Sequence, residues 1–132
     1  MQKSDWAHKA IASGAVLGLL GVALGAFGAH ALKNMVGTDQ VESFQTAVRY
    51  QLIHALVILI TGVAPPGTFG NHKWILLMFL LGIIFFCGSI YLLVLDEVMG
   101  ANLSFLGPVT PLGGILLMIG WALIPFKLSA KR

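Results

Sequence analysis

Four long apolar stretches alternate with short polar or turn-forming segments along this chain. The first runs from Ala10 to Leu32, about 23 residues, enough to cross a hydrocarbon core of roughly 30 Å. Lys33 to Thr38 follows as a polar connector with Asn34 and Gly37. Asp39 reads as an N-cap, with Glu42 three residues later approximating a capping box, so the second helix is expected from about 40. Val41, Phe44 and Val48 share a face of its first turns, its apolar span proper is Ala47 to Val63, and Pro65-Pro66-Gly67 stops it. Ala64 to Lys73 is then a turn. The third span is Trp74 to Leu95, expected to end at Asp96 and Glu97. Met99 to Val109 carries no charge and is expected to rest on or dip into the membrane surface. Thr110 as N-cap and Pro111 at the first helical position open a fourth span that ends near Phe126. The pattern predicts an all-α integral membrane protein, a bundle of four transmembrane helices at about 10–32, 40–63, 74–95 and 111–126, in one domain over 1–132.

Within the first span the glycines fall at Gly14, Gly18, Gly21, Gly25 and Gly28, a spacing of 4, 3, 4, 3. Such spacing returns to one helix face every seven residues and forms a groove without side chains. In water each interior glycine costs about 1 kcal/mol against alanine. In a bilayer the backbone must bond internally, so the helix forms, and the groove lets a neighbour approach closely. This stretch is therefore expected to be the central helix of the bundle, with Gly113 and Gly114 serving packing in the fourth span. The basic start, apolar run and Ala29-His30-Ala31 also fit a secretory signal with its cleavage site. The run is long for such a signal and a discarded peptide has no use for a packing seam, so the segment is expected to remain.

Composition sharpens the class. The 132 residues are 58% hydrophobic and only 10% charged, with mean hydropathy +0.91. A soluble domain carries about 25% charge, so lipid is the expected solvent for most of this surface. Single Cys87 excludes an internal disulfide and a thiolate metal cage. No basic run interleaved with aromatics suggests nucleic acid. Four crossings put both termini on one side, with Lys3, Lys9, Lys73, Lys127, Lys131 and Arg132. The other side holds Lys33 and Arg49 with four of the five acids, Asp39, Glu42, Asp96 and Glu97. This imbalance predicts cytoplasmic termini, in a bacterial inner membrane, or matrix-facing termini in a mitochondrial one. Trp6 is placed as an interfacial anchor.

Polar residues inside the spans are expected to gather in the outer half: His30, Arg49, Tyr50, Gln51, His54, Ser89, Tyr91, Asp96, Glu97 and Thr110. Tyr50 and His54 are four apart and Gln51 and His54 three apart, so they share a helix face. Arg49 is expected to pair with Asp96 or Glu97 and pin the second helix to the third, with an anion or lipid-headgroup site as the other reading. His30 and His54 facing one another suggest a haem, metal or proton-relay reading, but two histidines without a third ligand favour hydrogen-bonded core residues. Ser89 and Cys87 lack the orienting carboxylate or electropositive neighbour of a nucleophile, and read as small packing residues. No GxxxxGK[ST], GxGxxG or HExxH is present.

Several ordered strings together resemble a known family. They are Gly25-Ala-Phe-Gly-Ala-His-Ala-Leu32, Phe44-Gln-Thr-Ala-Val-Arg-Tyr-Gln51 followed by His54-Ala-Leu, Cys87-Gly-Ser-Ile-Tyr91, and Leu106-Gly-Pro-Val-Thr-Pro-Leu-Gly-Gly114 followed by Gly120-Trp121. This order resembles the small four-helix membrane family known as domain of unknown function 423, which includes bacterial inner-membrane proteins and the eukaryotic transmembrane protein 256. Cys87 stands where the family pattern has serine. The resemblance implies the fold and the membrane location, and no reaction. The expected role is thus an accessory or structural subunit without catalytic activity, cofactor or metal. Its expected partners are the lipid bilayer and a larger membrane complex or a second copy. A small carrier or channel built on the outer polar cluster is the alternative.

Overall fold

The computed structural model describes residues 2–65, 67–69 and 72–129, with side chains from 5 to 127 except that of His72. Pro66, Lys131 and Arg132 of the sequence reading lie outside the described residues, as do the side chains of Lys3 and His72. The helices are α1 (Gln2–His30), α2 (Thr38–Val63), α3 (His72–Ile83), α4 (Ser89–Met99) and α5 (Val109–Ser129). A π turn at Ile84–Gly88 joins α3 to α4 in one crossing. Among the described residues four helical stretches are thus long and apolar enough to cross a membrane, Asp5–Asn34, Thr38–Val63, Lys73–Met99 and Ser104–Lys127, as the hydropathy pattern predicts. No strand occurs among the described residues.

The helix ends are set by backbone geometry more than by the capping side chains singled out above. Gly37, in extended conformation, is the N-cap of α2 and no side chain bonds there. Asp39 therefore lies inside the first turn, where its charge still complements the helix dipole. Ala64 stops α2 because a residue preceding proline is driven out of the helical region; its ψ is 147°. The third crossing continues past Asp96 and Glu97 to Met99. Gly100 ends it by taking a left-handed conformation, φ 62°, with its N–H on the Asp96 carbonyl at 2.8 Å. Thr110 is likewise no cap. It sits in the first turn of α5, which begins at Val109.

α2 and the α3–α4 crossing form the middle pair of the bundle. α1 lies along α2, α5 lies along α3 and the π turn, and α1 and α5 make no close approach among the described residues. The buried core accordingly centres on the middle elements, through Ala47, Ile58, Ile75, Phe79, Ile83 and Cys87, with Ala10 of α1 and Leu117 of α5 packed against them. A second cluster at the α1–α2 hairpin end gathers Leu32, Phe44, Val48 and Val94. This corrects the expectation that α1 is central. Its glycine face meets α2 alone, and its far side is apolar surface, with Leu19 71% exposed. In lipid such exposure carries no penalty.

The glycine seam is real but narrower than its spacing suggests. A Cβ on Gly14 would lie 2.7 Å from Leu59, on Gly21 2.6 Å from Leu52, on Gly28 2.6 Å from Gln45, and on Gly25 3.3 Å from Val48. Gly18 meets nothing within 4 Å and is not part of the contact. In α5, Gly113 lies directly against the Phe85–Phe86 backbone of the π turn, whereas a Cβ on Gly114 would make only an ordinary contact at 3.7 Å. Three further close approaches come from glycines outside the predicted set: Gly62 on Ile11, Gly82 on Leu117 and Gly120 on Phe79.

Candidate functional site

The polar side chains inside the spans form a set of interhelical hydrogen bonds rather than one open cluster. Gln51 is the hub of the first group. Its Nε2 donates to the Leu17 carbonyl of α1 at 2.9 Å, and its Oε1 accepts from the Tyr91 hydroxyl of α4 at 2.8 Å. One buried amide thereby ties three crossings together. Gln45 adds a second tie to α1, donating to the Gly25 carbonyl at 3.2 Å. Buried polar groups left without partners in hydrocarbon are costly, so these bonds fix the helix register as well as the packing.

His54 anchors the second group. Its Nδ1 lies 2.6 Å from the Tyr50 carbonyl, and the Trp121 indole N–H donates to its Nε2 at 3.0 Å. An indole nitrogen only donates, so Nε2 is the accepting nitrogen and Nδ1 bears the hydrogen. The ring is further packed edge-on to Trp121 and tilted against Phe79, with centroids at 6.0 and 5.5 Å. Both nitrogens are committed, which leaves none for a metal. Among the described residues no group of three His, Cys, Asp or Glu could hold a metal ion. Trp121 is a partner that sequence reasoning missed: in the sequence it stands out only as the residue after Gly120 and does not enter the polar set. Its place after Gly120, on the face that Phe79 presses against, is the signal that points inward.

The third group links α4 to α5. Ser89 donates to the Phe86 carbonyl at 3.1 Å, and its oxygen lies 2.6 Å from the Thr110 hydroxyl. With the serine hydrogen on Phe86, threonine is the donor of the shorter bond. Ser89 thus satisfies a carbonyl of the π turn and acts as an acceptor toward α5, which is a packing arrangement and not that of a nucleophile. At the hairpin end, Asp96 Oδ2 accepts from the Leu103 N–H at 2.9 Å and holds the α4–α5 loop. Its Oδ1 is buried without a protein donor.

Several expectations are corrected by this geometry. Arg49 pairs with neither Asp96 nor Glu97. It is exposed on the membrane face of α2, and its Nη2 donates to the Thr46 hydroxyl one turn back at 3.0 Å. His30 is exposed at the end of α1, where its carbonyl accepts from Asn34. The hairpin register, with Gly28 against Phe44 and Gly14 against Leu59, places His54 level with Leu19. At 1.5 Å per residue that is ~16 Å below His30, so the two histidines do not meet. Glu97 is exposed on the last turn of α4. The polar groups therefore do not all crowd one rim. They descend from Asp96 at the hairpin end to His54 and Trp121 deeper in the bundle.

Between α2 and α5 lies a cavity of about 290 Å³, walled by Tyr50, His54, Phe86, Gly114, Leu117 and Trp121. Tyr50 is tilted against the Phe86 ring in this wall, with centroids 4.7 Å apart.

Comparison with known proteins gives a consistent picture. The chain matches, over residues 24–114, the family described as protein of unknown function (DUF423). It is 39% identical to a UPF0382 membrane protein from Staphylococcus aureus strain bovine RF122, over 84% of this chain and 87% of that protein. It is 37% identical to UPF0382 membrane protein YwdK from Bacillus subtilis, over 84% of this chain and 88% of the relative. No solved structure matches. The matched stretch contains Gln51, His54, Ser89, Tyr91 and the glycine contact at Gly113, and on these grounds the chain belongs to the DUF423 family of membrane proteins.

Proposed function

We propose that this small polytopic membrane protein is an accessory subunit of a bacterial inner membrane, acting by packing against other membrane helices and not by chemistry. The observation that carries this reading is the commitment of the interior polar groups. Gln51, His54 and Ser89 spend their hydrogen-bonding capacity on neighbouring helices or carbonyls, so among these described residues no base stands beside an unengaged nucleophile. The apolar faces of α1 and α5 point away from the bundle and offer surface to a partner. Cytoplasmic termini fit the same reading. Lys9 and Lys73 both lie over the Trp6 ring, at 4.6 and 5.7 Å, and so mark one basic, aromatic end. The test is purification in mild detergent with mass spectrometry of co-eluting chains. A second polypeptide or a second copy is expected in constant ratio. A lone monomer at every detergent concentration overturns the reading.

A further inference from the structure

We infer that the cleft between α2 and α5 is a binding site for one phospholipid, with its phosphate on Arg49 and one acyl chain in the cavity beside Tyr50 and Trp121. The inference is independent of the accessory role, because it concerns a lipid and not a protein partner. Three observations on different parts of the cleft carry it.

The first is shape. Among the described residues α2 and α5 make no close backbone approach, and the Trp121–His54 bond spans the gap between them. What remains is the 290 Å³ cavity, and it opens on the membrane side, where Tyr50 is 42%, Trp121 46% and Met118 64% exposed. The second is wall chemistry. The histidine nitrogens and the indole N–H are already engaged, so the walls present mostly carbon. Water needs two to four polar partners to stay in such a space; a hydrocarbon chain needs none.

The third is Arg49. Val48 faces Gly25, so Arg49 starts well inside the apolar run of α1 that spans the same depth. Its neighbours on the exposed stripe are Ile53, Leu56 and Ile60. A guanidinium carries five N–H donors. Here Thr46 takes one, and among the described residues no carboxylate reaches the group. A cation at this depth is expensive unless it rises to the interface and finds an anion. The Thr46 bond aims the side chain toward the hairpin end, where lipid phosphates lie. Thr46 stands one turn, or about 6 Å, above Tyr50. The cation and the mouth of the cavity are therefore spaced as the phosphate and upper chain of one lipid molecule.

The full chain, purified in dodecyl maltoside and mixed with phosphatidylglycerol, tests this by native mass spectrometry. Wild type is expected to retain one lipid per chain. Arg49→Gln removes the phosphate partner, and retention is expected to fall about tenfold, the loss of a charged hydrogen-bonded contact. Gly114→Leu fills the cavity from a position with no close backbone neighbour and is expected to lose the lipid similarly. Met118→Trp is the second filling variant should Gly114→Leu not elute as a monodisperse peak. Gly18→Leu, on open surface, is expected to retain the lipid. Unchanged retention in Arg49→Gln overturns the headgroup assignment, and unchanged retention in the cavity-filling variant overturns the chain assignment. Displacement of the lipid by inorganic phosphate alone, or a second protein copy in its place, overturns the proposal as a whole.

Discussion

Replacing Gly113 with alanine probes the point where two crossings lie closest. A Cβ added there would stand 2.7 Å from the Phe85 carbonyl carbon and from the Phe86 Cα, with the Phe86 nitrogen nearer still. These are backbone atoms of the π turn, so no side chain can rotate away. Restoring ordinary contact requires α5 to retreat by roughly 1 Å, and a gap of that size forfeits a quarter to a half of each dispersion contact along the interface. The contacts at risk include Gly82 on Leu117 and Gly120 on Phe79. Overpacking of this kind costs about 1–3 kcal/mol. The adjacent position is the internal control. A Cβ on Gly114 has its nearest neighbours at 3.7 and 3.9 Å on the Phe86 ring, so Gly114→Ala is expected to be neutral or mildly stabilising, given the better helix propensity of alanine. Denaturant unfolding in mixed micelles, followed by near-ultraviolet circular dichroism, reads both variants. Equal stability of Gly113→Ala and wild type, or equal loss in both variants, refutes the close approach and the registry of α5 against the π turn.

Three further outcomes follow from the hydrogen bonds and the core. Gln51→Leu removes the extra bond to the Leu17 carbonyl and leaves the Tyr91 hydroxyl without its acceptor, and is expected to destabilise by about 0.5–2 kcal/mol. Tyr91→Phe added to it should cost less than on its own, and strict additivity in that double-mutant cycle refutes the bond. In nitrogen-15 spectra His54 is expected as the Nδ1–H tautomer, with Trp121→Phe releasing that preference; an Nε2–H signal in the wild type contradicts the Trp121 bond. Cys87, 1% exposed, is expected to resist maleimide in the folded protein and to label on unfolding, and rapid native labelling sinks its core placement.

The four crossings were legible because apolar length alone defines them. Their ends were less so. Asp39, Asp96 and Thr110 look like boundary residues, yet the boundaries are drawn by Gly37, Pro65 acting through Ala64, and Gly100. The glycine spacing showed a seam but not which glycines touch; Gly18 drifts off the contact line although the repeat includes it. Arg49 misled because a charge in a span is assumed to have a carboxylate, and its nearest polar neighbour on the same helix took that place. Trp121 falls outside the predicted polar set because sequence position near the end of a span carries no information about which way the indole turns. The π turn left no mark at all. Ile84-Phe-Phe-Cys-Gly88 is as apolar as the helices on either side, and no proline announces it.

That turn has a consequence for chain length. Its wider ring accommodates one residue more than a regular helix would over the same rise. A relative lacking a single residue between 84 and 88 would run as an unbroken α-helix and keep the residues after the deletion on the same faces. The counterparts of Tyr91 and Ser89 would still meet those of Gln51 and Thr110, and α3 would keep its place against α5. One residue can thus be lost from this segment without disturbing the bonds on either side of it, whereas the same loss within a regular stretch of the crossing would turn them away.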